Sequence, residues 1–489
     1  MSVVCVKPTG RHTLRKEGRG FLEVYSSPVG ELPVLRVAGS PAEMGRQYGA
    51  LAGDRIGRNI RRSVGLFTAT GLPEPVVYLM LDKVWDRLQP HVPERYLREM
   101  SGIAEGARQA GYDLTLADVQ RITAVTNLDM YKRDERLMGM FGFDIAAQLS
   151  RSEIISDLRT SISCTMFAAW GSRTVDGKMI SHRNLDWVSQ TGMHEERLVT
   201  VYEPEGRNAF VTMGYAGVAG ALAGMNDQGI SFSEVGTFSA REELDGTPWT
   251  LVARQVLEEA DCLEKGVDIV RNAKHTIGYN FMIADGDQER FGTPGFRPRA
   301  AAFETNFDCC EVFFEDDPKE HAAHWVDPDG KAIRYGLPLK EAVMRADMDF
   351  GARTRAVQAS DNGPGEPAND GNPLKGSTYI DCHKPMHDMI RAYETGAEYT
   401  YPLRGTKVIE SGPPRKIGAK EALNIAATVA HNTEKLAESD WNVMSVVYAP
   451  TDLEFRVAYE TRDAAGNWKN APDSGYVHFN LNDLLAVRE

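Results

Sequence analysis

CTMFAAW at residues 164–170 is followed by Asp176-Gly177 and then by KMISHRNLDW at residues 178–187. The first segment is a continuous apolar run, which predicts a buried strand. Asp-Gly between two such segments is a strong signal for a β-hairpin. Antiparallel pairing around this turn matches residues whose numbers sum to about 350, so the end of the second strand returns to the start of the first.

Three chemically distinct side chains meet at that end of the predicted hairpin. They are the thiol of Cys164, the guanidinium of Arg183 and the carboxylate of Asp186. A cation next to a thiol lowers the thiol pKa and favours the thiolate, which is the nucleophilic form. The same residues also fit a second interpretation, a structural cysteine beside a structural Arg–Asp ion pair. Composition alone favours the structural interpretation.

The sequence before Cys164 has helical patterns, and the first predicted element begins at Ser40. Ser40-Pro41-Ala42-Glu43 predicts a capping box that starts a helix. Apolar residues follow at helical spacing: Met44, Tyr48, Leu51, Ile56, Ile60 and Val64. Two further helices are predicted at residues 103–109 and 116–125, and residues 130–163 are predicted to be irregular to helical.

After Cys164, strands predominate and are mixed with helices. Strands are predicted at residues 198–202, 209–213, 229–232, 281–284, 443–448 and 453–459, and a helix at residues 250–263. A turn at Ala449-Pro450-Thr451-Asp452 joins the last two strands. The stretch Asp361–Gly376 is rich in Gly, Pro, Asn and Asp, which predicts a surface loop. The order of elements predicts the α+β class.

Composition and charge exclude several classes of protein. The 489 residues are 42% apolar, which is enough for a folded core. The net charge is −14, so non-specific binding to nucleic acid or anionic lipid is not expected. No apolar run is long enough to predict a membrane span. The apolar-then-basic N-terminus reverses the order of a secretory signal, and six cysteines form no disulfide framework, so a cytoplasmic location is expected.

The glycine series at Gly214, Gly217, Gly220 and Gly224 fits neither spacing known for nucleotide-binding loops. It therefore predicts close packing of strands or a tight turn. The sequence also has no G-x-S-x-G nucleophile elbow, so an α/β-hydrolase is not indicated.

Two groups of histidines are candidates for a metal site. His321 and His324 lie near Glu315, Asp316 and Asp317, and Cys382-His383 is followed by His387. Neither group has the paired spacing of a zinc site, so no metal is expected.

The pattern Cys164-Thr165, a hairpin, then Arg183-Asn184-Leu185-Asp186-Trp187 resembles the nucleophile region of the N-terminal-nucleophile (Ntn) hydrolases. It is most similar to the peptidase C45 family, which includes the acyl-CoA:6-aminopenicillanic acid acyltransferases. Choloylglycine hydrolases, penicillin V acylases and acid ceramidases share the pattern more distantly. Further stretches resemble that family in the same order along the chain: Gly39-Ser40-Pro41, Glu43-x-Gly45, Tyr48-Gly49, Gly224-Met225-Asn226-Asp227-Gln228-Gly229-Ile230, Glu304-Thr305-Asn306 and Ser445-Val446-Val447-Tyr448-x-Pro450.

The resemblance implies an αββα four-layer sandwich of mostly antiparallel sheets and a chain that cleaves itself between Ser163 and Cys164. Residues 1–163 would be a largely helical pro-segment, and residues 164–489 would be the catalytic chain, with the two remaining associated. The family often has Gly before the nucleophile, where this chain has Ser163. The α-amine freed on Cys164 would take the thiol proton, so neither a catalytic histidine nor a cofactor is needed.

The resemblance also implies roles for individual residues. Cys164 would be the nucleophile, Asp186 would hold its α-amine, and Arg183 would favour the thiolate. Asn306 would donate a hydrogen bond to the oxyanion, although a turn-capping asparagine is the alternative there. In Arg353-Thr354-Arg355, Arg353 resembles the distal active-site arginine, with Arg355 as the alternative. Asn226 is a further candidate for contacting substrate.

The implied function is hydrolysis or transfer of an acyl group held in a small-molecule amide, through an acyl-cysteine intermediate. Water as acceptor gives an amidase and an amine gives an N-acyltransferase, with acyl-CoA as a candidate donor and a homo-oligomer as an open option. Two alternatives stay open. One is an Ntn-like binding protein that never matures, and the other is a metal-dependent hydrolase using His321 and His324.

Overall fold

The computed structural model describes residues 3–69, 71–127, 164–188, 192–237, 239–358, 372–376, 378–430 and 440–486. The predicted irregular segment at residues 130–163, which includes Ser163, lies outside these ranges. Most of the predicted loop at residues 361–376 also lies outside them.

Strands and helices occupy most of the described residues. The strands are β1 (Cys5–Val6), β2 (Gly10–Glu17), β3 (Gly20–Ser27), β4 (Gly30–Gly39), β5 (Thr165–Ala169), β6 (Ile180–Val188), β7 (Arg197–Pro204), β8 (Phe210–Tyr215), β9 (Ala223–Asn226), β10 (Ile230–Gly236), β11 (Tyr279–Asp285), β12 (Arg299–Asn306), β13 (Cys309–Phe313), β14 (His324–Val326), β15 (Ala332–Arg334), β16 (Ala342–Ala346), β17 (Tyr399–Tyr401), β18 (Thr406–Ile409), β19 (Asp440–Ala449), β20 (Glu454–Tyr459), β21 (Thr461–Arg462), β22 (Trp468–Lys469) and β23 (Tyr476–Asn480). The longer helices are α1 (Pro41–Ala69), α2 (Glu74–Leu88), α3 (Glu94–Gln109), α4 (Leu116–Val125), α5 (Trp249–Glu259), α6 (Leu263–Asn272), α7 (Lys384–Thr395) and α8 (Ala419–Val429). Short helices lie at Pro318–His321, Ala352–Arg355, Ala471–Ser474 and Leu481–Ala486, and a π-helical turn at Thr378–His383.

Most of these strands form two large sheets. In the described part of the chain, the seven-strand sheet has the order β1-β23-β20-β19-β6-β5-β16. The ten-strand sheet has the order β13-β12-β11-β10-β9-β8-β7-β4-β3-β2. Pairing within both sheets is antiparallel apart from the parallel pairs β1–β23 and β4–β7.

The two sheets pack face to face between layers of helices. β5 and β6 lie against β10, and β16 lies against β12. Helices α1, α5 and α6 pack on the ten-strand sheet, whereas α8 packs on β6 and β19 of the seven-strand sheet and contacts α7. The result is a four-layer αββα sandwich of mostly antiparallel sheets. The predicted α+β class and layer arrangement are therefore confirmed.

The start of the chain differs from the sequence-based prediction. Residues 10–39 form β2, β3 and β4 ahead of α1, whereas the first predicted element begins at Ser40. Most residues of β2 are exposed, so its sequence GRHTLRKE lacks the apolar alternation by which a half-buried strand is found. β4 pairs in parallel with β7, so the segment before α1 supplies strands to the ten-strand sheet.

The predicted capping box at the start of α1 is confirmed. Ser40 N donates to Glu43 Oε2 at 2.8 Å, and Glu43 N donates to Ser40 Oγ at 3.4 Å. The six apolar residues predicted to face the core are all buried. The predicted helix at residues 116–125 matches α4, and the helix predicted at residues 103–109 is the last part of α3.

The predicted helix at residues 250–263 is in fact two helices. α5 ends at Glu259 because Ala260 adopts an extended conformation, with φ −79° and ψ 125°. A new helix, α6, begins at Leu263, whose N donates to Asp285 Oδ2 at 2.9 Å. A side chain from β11 therefore fixes the start of α6, and its position was not readable from local sequence.

The glycine series lies where the backbone is tightly packed, as predicted. Gly217 has a φ of 93° and its N donates to Tyr48 Oη at 3.0 Å. A Cβ at Gly220 would lie 2.5 Å from the carbonyl carbon of Thr250. These contacts give the glycines a structural role in holding α1 and α5 against the sheet.

No single helix in the described ranges is long and apolar enough to cross a membrane. Helices Pro41–Ala69 and Glu74–His91 meet that criterion only as a pair, across a bend of 113°.

A buried ion cluster joins α3 to α5. The guanidinium of Arg254 is completely buried, and its Nη1 donates to Glu99 Oε1 at 2.8 Å. Its Nε donates to Glu258 Oε1 at 2.8 Å, and the guanidinium lies 4.5 Å from the ring centroid of Tyr202. Because this cation is out of water, its charge must be balanced by these carboxylates.

We expect Glu99→Ala to destabilise the protein by about 3–5 kcal/mol, because it leaves Arg254 buried with only part of its balancing charge. Glu94→Ala removes an exposed α3 carboxylate that pairs with Arg98 and should cost at most about 0.5 kcal/mol. The free energy of unfolding from urea titration checks both values. Equal losses for the two variants would contradict the assigned role of the cluster.

Candidate active site

The register of the β5–β6 hairpin brings the predicted site residues together. Met166 pairs with Arg183, and these two residue numbers sum to 349, which agrees with the sum of about 350 predicted for paired residues. Cys164 directly precedes β5, and its Sγ donates a hydrogen bond to the backbone oxygen of Asp186 at 3.9 Å. The hairpin prediction is therefore confirmed, and the three groups lie at one end of the seven-strand sheet.

The thiol of Cys164 is buried, with 2% of its surface exposed. Burial and the negative charge of Asp347 raise the pKa of the Cys164 thiol, whereas the nearby Arg183 guanidinium lowers it. The charge of Asp186 adds to the increase. Because burial dominates, the thiol keeps its proton at neutral pH. Arg183 thus acts in the expected direction, towards the thiolate, but burial has the larger effect.

The side chain of Arg183 extends from β6 in the seven-strand sheet to Glu234 on β10 in the ten-strand sheet. Its side chain is completely buried. Its Nε donates to the backbone oxygen of Glu234 at 3.0 Å, and its Nη2 forms an ion pair with the Glu234 carboxylate. Much of the charge of Arg183 is therefore balanced by Glu234 and is not directed at the thiol alone.

The carboxylate of Asp186 is held from the neighbouring strand. Asn442 Nδ2 donates to Asp186 Oδ1 at 2.7 Å, and Asn442 N donates to Asn470 Oδ1 at 3.1 Å. The β6–β19 register shifts between Asn442 and Met444, which is a bulge that re-aims side chains at the strand end. Asp186 is thereby fixed next to Cys164 in a buried position.

Glu234 and Asn442 also belong to this site, although no sequence motif marks them. Each lies on another strand, more than fifty residues away in sequence from the residue that it contacts. Neither belongs to a local motif that predicts its partner. The pairing of β19 with β6 and the packing of β10 on β6 are the only signals that identify them.

His182 lies on the opposite face of β6 from Arg183 and packs under the helices. Its ring centroid is 4.7 Å from that of Phe167, and its Nε2 lies 3.3 Å from Thr165 Oγ1. Burial, together with the charge of Arg183, lowers the pKa of His182 to about 3. His182 is therefore a neutral core residue at physiological pH.

Asn306 ends β12 and caps the turn into β13. Its Oδ1 accepts hydrogen bonds from Asp308 N at 2.9 Å and from Cys309 N at 3.1 Å. The structure thus gives Asn306 the turn-capping role that was the alternative for this residue. The turn lies at the same end of the ten-strand sheet as Gly236, because β12 pairs with β11 and β11 with β10.

Arg353 is exposed on a short helix beside the Asn306 turn. Its Nη2 donates to the backbone oxygen of Asp308 at 3.2 Å, and its N donates to Glu311 Oε2 at 2.9 Å. Arg355 points elsewhere, since its Nη1 donates to Phe350 O at 3.3 Å. Of the two arginines, Arg353 is the one next to Asn306.

The structure corrects the prediction that Asn226 contacts substrate. Asn226 Nδ2 donates to Leu257 O at 3.0 Å and to Ala260 O at 2.8 Å. Its Oδ1 accepts from the backbone N atoms of Gln228 and Ile230. Asn226 lies at the opposite end of β10 from Glu234, so it joins the β9–β10 turn to the end of α5.

The histidine groups do not assemble a metal site in the described ranges, where no cluster of three or more possible ligands is found. His321 Nε2 lies 2.7 Å from Asp316 Oδ1, and His324 is exposed. His383 is buried against the ring of Phe350, and His387 pairs with Asp388.

Residues 172–300 match the family model for acyl-coenzyme A:6-aminopenicillanic acid acyl-transferase. This confirms the predicted resemblance for the segment from the hairpin loop to the start of β12. The matched residues include Arg183 and Asp186, whereas Cys164 and Asn306 lie outside the match. The match relates the chain to a family of acyl-transferring enzymes.

Two relatives match a larger part of the chain. An uncharacterized protein of Archaeoglobus fulgidus is 28% identical over 284 residues, which are 56% of this chain and 44% of that protein. The protein dcd1B of Dictyostelium discoideum is 18% identical over 310 residues, covering 59% of this chain and 53% of that protein. The chain thus spans about half the length of the curated relatives that it matches.

Several solved structures show a distant similarity. A Caenorhabditis elegans N-acylethanolamine-hydrolyzing acid amidase ortholog is 13% identical with a TM-score of 0.36, covering 59% of this chain and 93% of its own. A variant of the conjugated bile acid hydrolase from Clostridium perfringens has the same identity and TM-score and covers 65% of this chain and 93% of its own. Penicillin V acylase from Agrobacterium tumefaciens is 12% identical with a TM-score of 0.31, covering 64% of this chain and 88% of its own.

We expect His182 to make the protein less stable as the pH falls below 6.5. The folded state holds His182 neutral, whereas the unfolded state takes up a proton below the ordinary histidine pKa of 6.5. At pH 5 this difference costs about 2 kcal/mol. His182→Gln should remove that part of the loss between pH 7 and pH 5, as measured by urea unfolding at each pH.

The control for this measurement is His12→Gln, which replaces an exposed histidine of strand β2 by the same residue type. If His182→Gln and the wild type lost equal stability between pH 7 and pH 5, the neutral assignment of His182 would be wrong.

Proposed function

We propose that the chain is a cysteine-nucleophile amidohydrolase or N-acyltransferase that cleaves itself between Ser163 and Cys164. The observation that carries the proposal is the juxtaposition of Cys164, Arg183 and Asp186 at the open end of the β5–β6 hairpin, inside an αββα sandwich. The match to an acyl-transferase family over residues 172–300 supports the class of reaction.

Maturation would use the thiol of Cys164 as the nucleophile. Its sulfur attacks the carbonyl carbon of Ser163 and forms a thioester, which water then hydrolyses. The products are residues 1–163 and residues 164–489. The new α-amine of Cys164 has an ordinary pKa of about 7.7–8.0, so it can take the thiol proton in later turnovers.

The fold supports continued association of the two products. Residues 1–163 contribute β2, β3 and β4, and β4 pairs with β7 of residues 164–489. Arg36 on β4 also binds Glu203 on β7, with Nε to Oε1 at 2.6 Å. Cleavage would therefore leave the N-terminal segment inside the ten-strand sheet.

Asp186 and Asn306 would act at different steps. Asp186 is held by Asn442 next to Cys164, where its carboxylate would accept a hydrogen bond from the α-amine. The Oδ1 of Asn306 accepts hydrogen bonds from the β12–β13 turn, so its Nδ2 would be the atom that donates to the oxyanion of the tetrahedral intermediate. Arg353, beside that turn, would bind a polar group of the substrate.

The substrate class follows from the nucleophile. A small-molecule acyl amide would transfer its acyl group to Cys164 and release its amine, forming an acyl-cysteine thioester. Water would then complete an amidase reaction, or a second amine would complete N-acyl transfer. Both reactions use the same residues of the site.

We expect purified wild-type protein to contain two polypeptides, one of which begins at Cys164. Cys164→Ala lacks the nucleophile and should remain a single 54.1 kDa chain without amidase activity. Cys164→Ser should mature slowly or not at all, since a hydroxyl ionises far less than a thiol near neutral pH. Intact-mass measurement and N-terminal sequencing check these outcomes.

Cys382→Ala is the matched control, because Cys382 is equally buried but belongs to the helical layer over the seven-strand sheet. It should mature like the wild type. Wild-type activity in Cys164→Ala would refute the mechanism. A wild-type protein that stays uncleaved and inactive on amides would favour the non-maturing binding protein, and Ser163→Gly would then test whether cleavage can be restored.

We expect Asp186→Asn to impair both maturation and turnover, because both would need an ordered Cys164. Asn306→Ala should chiefly lower kcat by about 10²–10³-fold through loss of the oxyanion donor. Asn306→Asp keeps an acceptor for the turn but lacks the Nδ2 donor, so it should lower kcat in the same way. If Asn306→Asp turned over at the wild-type rate, the oxyanion role of Asn306 would be wrong.

A further inference from the structure

A second carboxylate faces the nucleophile from the other side of β5. β16 pairs antiparallel with β5, and Ala346 pairs with Thr165. Extending this register by one residue places Asp347 opposite Cys164. Both residues are buried, with 1% of Asp347 and 2% of Cys164 exposed. Cys164 therefore lies between β6 and the residue that follows β16.

The backbone around Asp347 is held by side-chain amides. Asn280 Nδ2, on β11 of the ten-strand sheet, donates to Ala346 O at 3.2 Å and to Met348 O at 3.1 Å. Gln358 Nε2 donates to the carbonyl oxygen of Asp347 at 3.1 Å. Three consecutive carbonyl groups are thus fixed by two amide side chains. These hydrogen bonds hold the backbone of Asp347 in one position at the end of β16.

Asp347 also lies within electrostatic reach of the thiol. After burial, its negative charge is the largest influence that raises the pKa of the Cys164 thiol, ahead of Asp186. Self-cleavage must begin from this protonated thiol. The α-amine that serves as base in later turnovers does not exist until the chain has been cut, so the first reaction needs a different proton acceptor.

We propose that Asp347 is the proton acceptor for the self-cleavage reaction at Cys164. This inference rests on the proposed function, in which Cys164 attacks the Ser163 carbonyl. Asp186 is the less suitable acceptor because its carboxylate already accepts a hydrogen bond from Asn442 Nδ2. Arg183 has no basic site to offer at neutral pH.

The bonds and protons of the step balance with Asp347 as a shuttle. The S–H bond of Cys164 breaks, its proton passes to a carboxylate oxygen of Asp347, and sulfur forms a bond to the Ser163 carbonyl carbon. When the C–N bond between Ser163 and Cys164 breaks, its electron pair stays on nitrogen, and Asp347 returns the proton to that nitrogen. Water then hydrolyses the thioester, which frees the Ser163 carboxylate and restores the thiol.

The test is the rate of cleavage of Asp347→Asn made by cell-free translation, followed on a gel during a chase and confirmed by N-terminal sequencing. Loss of a general base should slow cleavage by at least about 10²-fold. A purely electrostatic role predicts the opposite sign, because removal of the negative charge lowers the thiol pKa and should speed cleavage. Cleavage at or above the wild-type rate would therefore overturn the proposal.

The matched control is Glu320→Gln, which removes another buried carboxylate near the same strand. Glu320 Oε2 accepts from Arg345 Nη1 at 2.9 Å. It has no assigned part in the reaction, so this variant should cleave like the wild type. If both variants slowed cleavage equally, loss of buried charge would explain the result and the proposal would fail.

Two further variants make each outcome decisive. If Asp347→Asn does not fold, as judged by circular dichroism, Asp347→Glu keeps a carboxylate and must cleave faster than a folded Asp347→Gln, or the proposal fails. Cys164→Ala in the same assay distinguishes a failure of the proposed function from a failure of the role of Asp347. Cleavage in Cys164→Ala refutes the proposed function, whereas no cleavage there with normal cleavage in Asp347→Asn refutes only the role of Asp347.

Discussion

The candidate site depends on one constraint, the antiparallel register between β5 and β6. Met166 opposite Arg183 brings the end of β6 back to Cys164, and the thiol then meets the backbone of Asp186. A slip of one residue would turn Arg183 towards the helices and away from Glu234 on the ten-strand sheet. The ion pair between Arg183 and Glu234 holds this register, because an unpaired guanidinium buried between two sheets would be strongly destabilising.

Burial changes the chemistry that the same three residues would have in water. An exposed thiol beside an arginine would lose its proton readily, but Cys164 lies out of water and Arg183 is largely balanced by Glu234. Burial therefore favours the protonated thiol, and if Cys164 is the nucleophile, as proposed, a group that removes its proton would decide when it reacts. The same burial would protect such a cysteine from oxidation and alkylation until a base is in place.

Local sequence signals predicted the elements that depend on neighbours in the chain. The capping box at Ser40 was readable because it is specified within four residues, and the pairing of β5 with β6 was readable because a turn signal separates two apolar runs. Asp176-Gly177 itself lies in a short 3₁₀ turn, Val175–Gly177, within the longer connection between the two strands. The positions of Glu234 and Asn442 were not, since they depend on strand packing and on a bulge between distant strands. Asn226 was predicted to contact substrate because its motif resembled a functional segment. In the structure, its side chain joins the β9–β10 turn to α5.

The N-terminal segment shows why a cut before Cys164 need not separate the chain. β4 occupies the interior of the ten-strand sheet, with β3 on one side and β7 on the other. Its removal would expose the edge of β7 and the apolar residues that α1 covers, so the covalent bond is not what holds the segment in place. The proposed cleavage would then change the chemistry at Cys164, by creating an amine beside the thiol, while the strand pairings that position the thiol would stay unchanged.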